Sequence, residues 1–217
     1  MADNQPTILK LKALNGWNLY WLIVIPISIA VLFKMTTVDL SSPRGVSSMI
    51  QFSVRSSVPW LYLAFAASSL LVVFPGQFSR WLLRNRKNIG LCFASAMAWQ
   101  LFFILWMVIG YWDYYIAQPS SLTDLISQVP GYLLLFAMVL TSFRHWRNKL
   151  TARQWRILHK VAIYFIWATI WSTYWYELYY YDDIQTIDYL YYWGGLGAWG
   201  IRLLAWSKQR SPRVAAT

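Results

Sequence analysis

Cysteine occurs once in this chain, at Cys92, and histidine twice, at His145 and His159. One thiol excludes an intrachain disulfide framework and any CxxC motif. One thiol and two imidazoles also exclude a zinc site of the usual Cys/His spacing. Charge is short as well. Only 12% of the 217 residues are charged, against about a quarter in an ordinary soluble domain. Acids are the scarcer sign, eight against nineteen bases, which leaves a formal net charge of +11. There is no Walker motif, no GxSxG, no HExxH and no Ser/His/Asp set that can be placed. Gly194, Gly195, Gly197 and Gly200 lack the GxGxxG order and follow no strand, so they read as close helix packing rather than a nucleotide loop.

What is abundant is apolar and aromatic. Hydrophobic residues make up 58% of the chain, with 15 Trp and 15 Tyr. A membrane-crossing helix takes about 20 mainly apolar residues, and six segments approach that pattern: 17–33, within 56–79, 88–112, within 125–143, 155–176 and 187–206. The first exceeds the apolar core of roughly 7–15 residues in a signal peptide and has no small-x-small site after it, so it reads as an uncleaved span. The last is interrupted by Arg202, close enough to the end to snorkel. The expectation is an all-α polytopic membrane protein, a six-transmembrane-helix bundle over 17–206. A cytoplasmic segment, 1–16, precedes it. A polar, disordered tail, 207–217, follows it. The Ser/Thr-rich stretch 35–55 reads as a long outer loop.

Loop charge predicts orientation. Arg80, Arg84, Arg86 and Lys87 fall between the second and third spans. Arg144, Arg147, Lys149, Arg153, Arg156 and Lys160 fall in or beside the connection between the fourth and fifth. Lys10, Lys12, Lys208, Arg210 and Arg213 lie on the tails. The alternate loops carry Asp39, Asp113, Asp124, Glu177, Asp182, Asp183 and Asp188, with only Lys34, Arg44 and Arg55 as bases. The positive-inside rule then puts both termini in the cytoplasm. Bases sorted loop by loop are a topology signal with some attraction to anionic headgroups, not a nucleic-acid surface. The expected partner is the lipid bilayer, in a bacterial inner (plasma) membrane.

Few side chains inside the spans carry chemistry. His159 lies about 6 Å past the start of the fifth span. It reads either as a heme ligand or proton-relay group, or as an interfacial histidine bonded to a neighbouring helix. His145, in the basic loop, reads as solvated. Gln100, midway along the third span, needs an interhelical partner. Ser172 and Thr173 can bond carbonyls one turn back. Glu177, Asp182, Asp183 and Asp188 could gather a hard cation or simply serve as the acidic half of the charge asymmetry. The rings at 174–181 and 189–193 look like an interfacial aromatic belt, with redox hopping or quinone contact as the other use.

The stretch "RNRKNIGLCFASAMAWQ", 84–100, and the pair "LTSFRHW" and "QWRILHKVAIYFIWATIWS" resemble ferric-reductase-like transmembrane domains. By size the nearest are the six-span heme-binding membrane subunits of methionine-sulfoxide reductase systems. The resemblance covers about 49–206 and is most specific at Gly90, Leu91, Trp155, Leu158 and His159. It implies a b-type heme clamped between the third and fifth helices, which would be neighbours. Where the family has its ligand histidines, this chain has Gln100 and Ser172, both poor axial ligands. His159 alone keeps an imidazole at a family position, with Met97 and Met107 as unplaced partners.

Two readings of function follow, with a small transporter as a weaker third. One is a transmembrane electron-transfer subunit, an oxidoreductase component using heme b. Its donor would be a quinol or a separate redox protein such as a cytoplasmic flavoprotein, since no flavin or nicotinamide domain is read in this sequence. The other is a heme-less, non-catalytic relative serving as scaffold or partner subunit of a membrane complex.

Overall fold

A bilayer offers a backbone no water to bond, so an apolar chain satisfies its amides within helices. The computed structural model describes residues 8–117, 121–180 and 184–210, and among them there is no strand. Two 3-10 turns, Ile8–Lys10 and Lys12–Leu14, lead into α1 (Gly16–Thr37), α2 (Pro43–Val73), α3 (Gln77–Gly110) and the short α4 (Trp112–Ile116). Then come α5 (Ser121–Thr141), the single turn α6 (Arg144–Arg147), α7 (Ala152–Tyr180) and α8 (Thr186–Arg210).

Three helices, α1, α2 and α3, are long and apolar enough to cross a membrane, and they mark an integral membrane protein. α5 adds a shorter apolar stretch, Gln128–Thr141. α7 and α8 are long but less hydropathic, because they carry bases and many Trp and Tyr. Such rings suit the membrane interface more than its centre.

Several boundaries differ from the sequence expectation. The stretch read as a loop up to residue 55 is helical from Pro43 onward. Ser42 accepts from the Gly45 amide at 3.2 Å, with proline at the first helical position, both favourable starts for a helix. Val46 and Met49, three apart, then pack with Val31, Phe103 and Met107. Arg80, Arg84, Arg86 and Lys87 lie on the first turns of α3 rather than in a loop. Residues 207–210 of the expected tail extend α8, where Lys208 Nζ donates to the Val73 carbonyl at 3.3 Å. The rest of the tail, with Arg213, lies outside the described residues.

α2 is the hub, packed against α3 and α8 and also touching α1 and α7, while α5 pairs with α7. Proline at 59 removes a helical amide and frees the carbonyl four residues back. That carbonyl, of Arg55, accepts the Tyr191 hydroxyl of α8 at 2.9 Å. α7 and α8 approach closely at Gly195, whose carbonyl accepts Trp167 Nε1 at 3.1 Å. A Cβ there would meet Trp171 and Tyr62 atoms at 2.7 Å. Gly194 also faces Tyr62, but nothing lies against Gly197 or Gly200, so only the first two of the four glycines serve close packing.

α1 is peripheral. Only Leu19 and Val31 are buried, and Trp21, Ile25, Ile29 and Phe33 are exposed. Spaced hydrogen bonds hold it to α3. Gly16, at φ +62°, donates its amide to buried Asn85 Oδ1 at 2.9 Å. Tyr20 pairs with Ser95 at 2.9 Å, and Trp99 Nε1 donates to Ser28 Oγ at 3.1 Å. Just beyond α1, the Leu40 carbonyl accepts Tyr111 at 3.0 Å.

Candidate functional site

α2, α3, α5 and α7 enclose two cavities that share Phe93, Leu135 and Ile166 as a common wall. The cavity toward the acidic ends of the helices is about 230 Å³, and the one toward the basic ends about 460 Å³. Ligand pockets commonly measure roughly 300–1,000 Å³, so only the second has the size of one.

The smaller cavity contains Gln100 in its wall, but not Ser172. Gln100 Oε1 accepts the Tyr132 hydroxyl at 2.9 Å, the interhelical partner its sequence position called for. The half-buried Ser172 donates to the Thr169 carbonyl at 2.8 Å. The two positions that would hold a clamped heme are therefore not brought together. Thr169 and Thr173 are the α7 residues on the cavity wall. Trp167 is stacked on Phe65 at 5.4 Å and on Trp171 at 5.9 Å. Neither Gln100 nor Ser172 offers iron an imidazole, thiolate or thioether, and only Gln100 lines this cavity. Met97 lines this cavity with its sulfur 3.4 Å from Ser57 Oγ, whereas Met107 is packed against α1 and α2.

At the mouth of this cavity lies an ion pair. Asp188 is fully buried, and its carboxylate meets Arg55 Nη2 at 3.1 and 3.3 Å. It also accepts the Gln185 amide at 3.0 Å, closing the first turn of α8 from inside, as a carboxylate three residues into a helix can. Asp188 is thus committed to structure rather than to a cation. Glu177 lines the same cavity. Asp182 and Asp183, the Asp124 side chain and Tyr181 lie outside the described residues. Among the described residues no cluster of three His, Cys, Asp or Glu could hold a metal ion.

His159 faces the larger cavity. Its Nε2 is 3.0 Å from Thr141 Oγ1, and its ring is 4.4 Å from that of Trp155. Thr141 Oγ1 is also 2.6 Å from the Ala137 carbonyl. A hydroxyl has one proton, and the carbonyl can only accept it. With that proton directed to the carbonyl, the tautomer that places a hydrogen on Nε2 completes the His159–Thr141 bond. Trp155 Nε1 donates to the Thr141 carbonyl at 3.2 Å, and Arg147 lies over the Trp155 ring at 4.8 Å. Thr141, Trp155 and His159 thus stitch the α5–α6–α7 hairpin together. His145 is exposed on α6, edge-on to Trp146.

Six cations line the larger cavity: Arg86, Lys87, Arg147, Arg156, Lys160 and Arg202. No carboxylate does. Arg202 does not snorkel outward. It donates to the Phe65 carbonyl at 3.0 Å and lies 4.3 and 4.4 Å from the Phe65 and Tyr164 ring centres. Arg86 Nε donates to the neighbouring Ala64 carbonyl at 3.0 Å. The sequence marked these bases as a topology signal with some attraction to anionic headgroups, and Arg202 as a snorkelling residue, not as one cluster. Their convergence depends on helix rotation, which charge counting does not see. Met138, a thioether on the same wall, also went unmarked. Compared with protein families, characterised proteins and solved structures, the chain has no match.

Proposed function

We propose that the chain is a six-span membrane protein of ferric-reductase-like architecture that serves as a non-redox scaffold or partner subunit, and not as a heme-based electron carrier. In this reading α1, α2, α3, α5, α7 and α8 cross a bacterial inner membrane with both termini cytoplasmic, the basic helix ends lying inside. One observation supports the non-redox part: His159 Nε2 lies 3.0 Å from Thr141 Oγ1, so the imidazole already serves the contact that joins α5 to α7. The amide at Gln100 and the hydroxyl at Ser172, committed to Tyr132 and Thr169, add no ligand that could take its place.

An electron-transfer subunit is the second reading, and one feature favours it. His159 and Met138 line the same 460 Å³ cavity, with cations that could face heme propionates, and His/Met pairs do ligate heme. A dithionite-reduced minus oxidised absorption spectrum of the detergent-purified full chain, expressed with added heme precursor, separates the two. The scaffold reading expects no Soret band. A stoichiometric Soret band that His159→Ala abolishes, with insertion intact, would replace it with the redox reading.

A further inference from the structure

We propose that the basic cavity between α2, α3, α5, α7 and α8 binds the phosphate of one anionic phospholipid, held by Arg86 and Arg202 with its acyl part against the apolar wall. This goes beyond the scaffold reading and does not depend on it.

The argument starts from uncompensated charge. A guanidinium inside a helix bundle is costly unless an anion and hydrogen bonds meet it. Arg86 and Arg202 each donate to one helical carbonyl, of Ala64 and Phe65. Most of their N–H groups then remain for another acceptor. The one ion pair among the described residues, Arg55 with Asp188, is at the other cavity. Arg202 sits eight residues before the last residue of α8, roughly 12 Å along the axis, and it faces inward. The adjacent carbonyls of Ala64 and Phe65 hold both guanidinium groups on one side of α2, and the planar guanidinium fork suits a phosphoryl group.

The other four cations set the direction of entry. Lys87, Arg147, Arg156 and Lys160 are exposed and surround the same cavity, so negative charge is drawn in from the basic face. Behind them the wall turns apolar, with Leu61, Leu135, Val139 and Ile163. A polar anion alone would leave those side chains facing nothing it could wet, whereas a phosphate carrying hydrocarbon fits both parts. Basic pockets between membrane helices on the positive side are a general setting for anionic headgroups. The volume, about 460 Å³, takes a headgroup and the first part of its chains, the remainder lying among lipid.

The test uses the full chain in nanodiscs of phosphatidylcholine with or without phosphatidylglycerol, read by thermal unfolding, and native mass spectrometry after detergent extraction. One phosphatidylglycerol is expected to stay with each chain, and that lipid should raise Tm where phosphatidylcholine does not. Arg86→Gln and Arg202→Gln should each weaken retention by roughly fivefold, the worth of one basic side chain near an anionic surface. Arg210→Gln, whose guanidinium stacks on Trp206 outside the cavity, should leave retention unchanged. If the Arg86 or Arg202 variant fails to insert, Arg156→Gln with Lys160→Gln, both at exposed positions, must still weaken retention. Equal retention of the two lipids overturns the proposal, as does an Arg210→Gln effect as large as that of Arg86→Gln. Displacement of the lipid by millimolar inorganic phosphate would make a free phosphate the occupant, and a retained heme mass would make it a heme. Either outcome overturns the lipid assignment.

Discussion

At Asp188 one carboxylate meets two demands, the charge of Arg55 and the open amide at the start of α8. Removing one partner of a buried pair leaves the other charge stranded, at a cost of about 3–5 kcal/mol. Asp188→Asn keeps the size and an acceptor oxygen but loses the charge, so a loss near the lower end, about 3 kcal/mol, is expected. Unfolding in mixed micelles should show it, and a loss under about 1 kcal/mol would mean that water already serves Arg55. The sequence marked Asp188 only as one acid among several. Its partner is 133 positions away, a distance that no local pattern spans. His159 was legible as unusual for its depth. Its partner Thr141 was not, because their meeting is set by how the α5–α6–α7 hairpin closes.

At the scale of the element, the helices were legible and their ends were not. Long charge-poor runs give the segments directly. The early start of α2 depends on a cap at Ser42 and on packing of Val46 and Met49, which hydropathy does not register. Pro59 offers a test of how an irregular helix is repaired. Tyr191→Phe should cost about 1 kcal/mol, the worth of one net hydrogen bond, or more because the Arg55 carbonyl is left open. Pro59→Ala restores the amide four residues on, so in that background Tyr191→Phe should cost clearly less. A double-mutant cycle of unfolding free energies reads the difference. Additivity within about 0.3 kcal/mol would show that the hydroxyl does not act through the freed carbonyl. The glycines of α8 carry the same lesson. Four looked alike in the sequence, yet only Gly194 and Gly195 meet a neighbour, because helix rotation decides which face is covered.

For the whole molecule, the proposed orientation predicts accessibility. A membrane-impermeant maleimide should label Ser41→Cys in intact cells, and Asn148→Cys only after permeabilisation. Native Cys92 is buried and should stay silent in both. The reverse pattern would invert the molecule, and labelling of both from outside would break the alternation of spans. All-helical membrane character was legible from composition alone. The two cavities were not, since they are gaps between helices rather than properties of any one. α1 adds a different consequence. It is fastened to α3 by a few spaced hydrogen bonds, with most of its apolar surface turned outward. Such bonds hold best where nothing competes for their donors. In a micelle that lets water reach them, α1 should be the first helix to peel away. The choice of amphiphile during purification would then decide whether the first helix remains part of the bundle that is isolated.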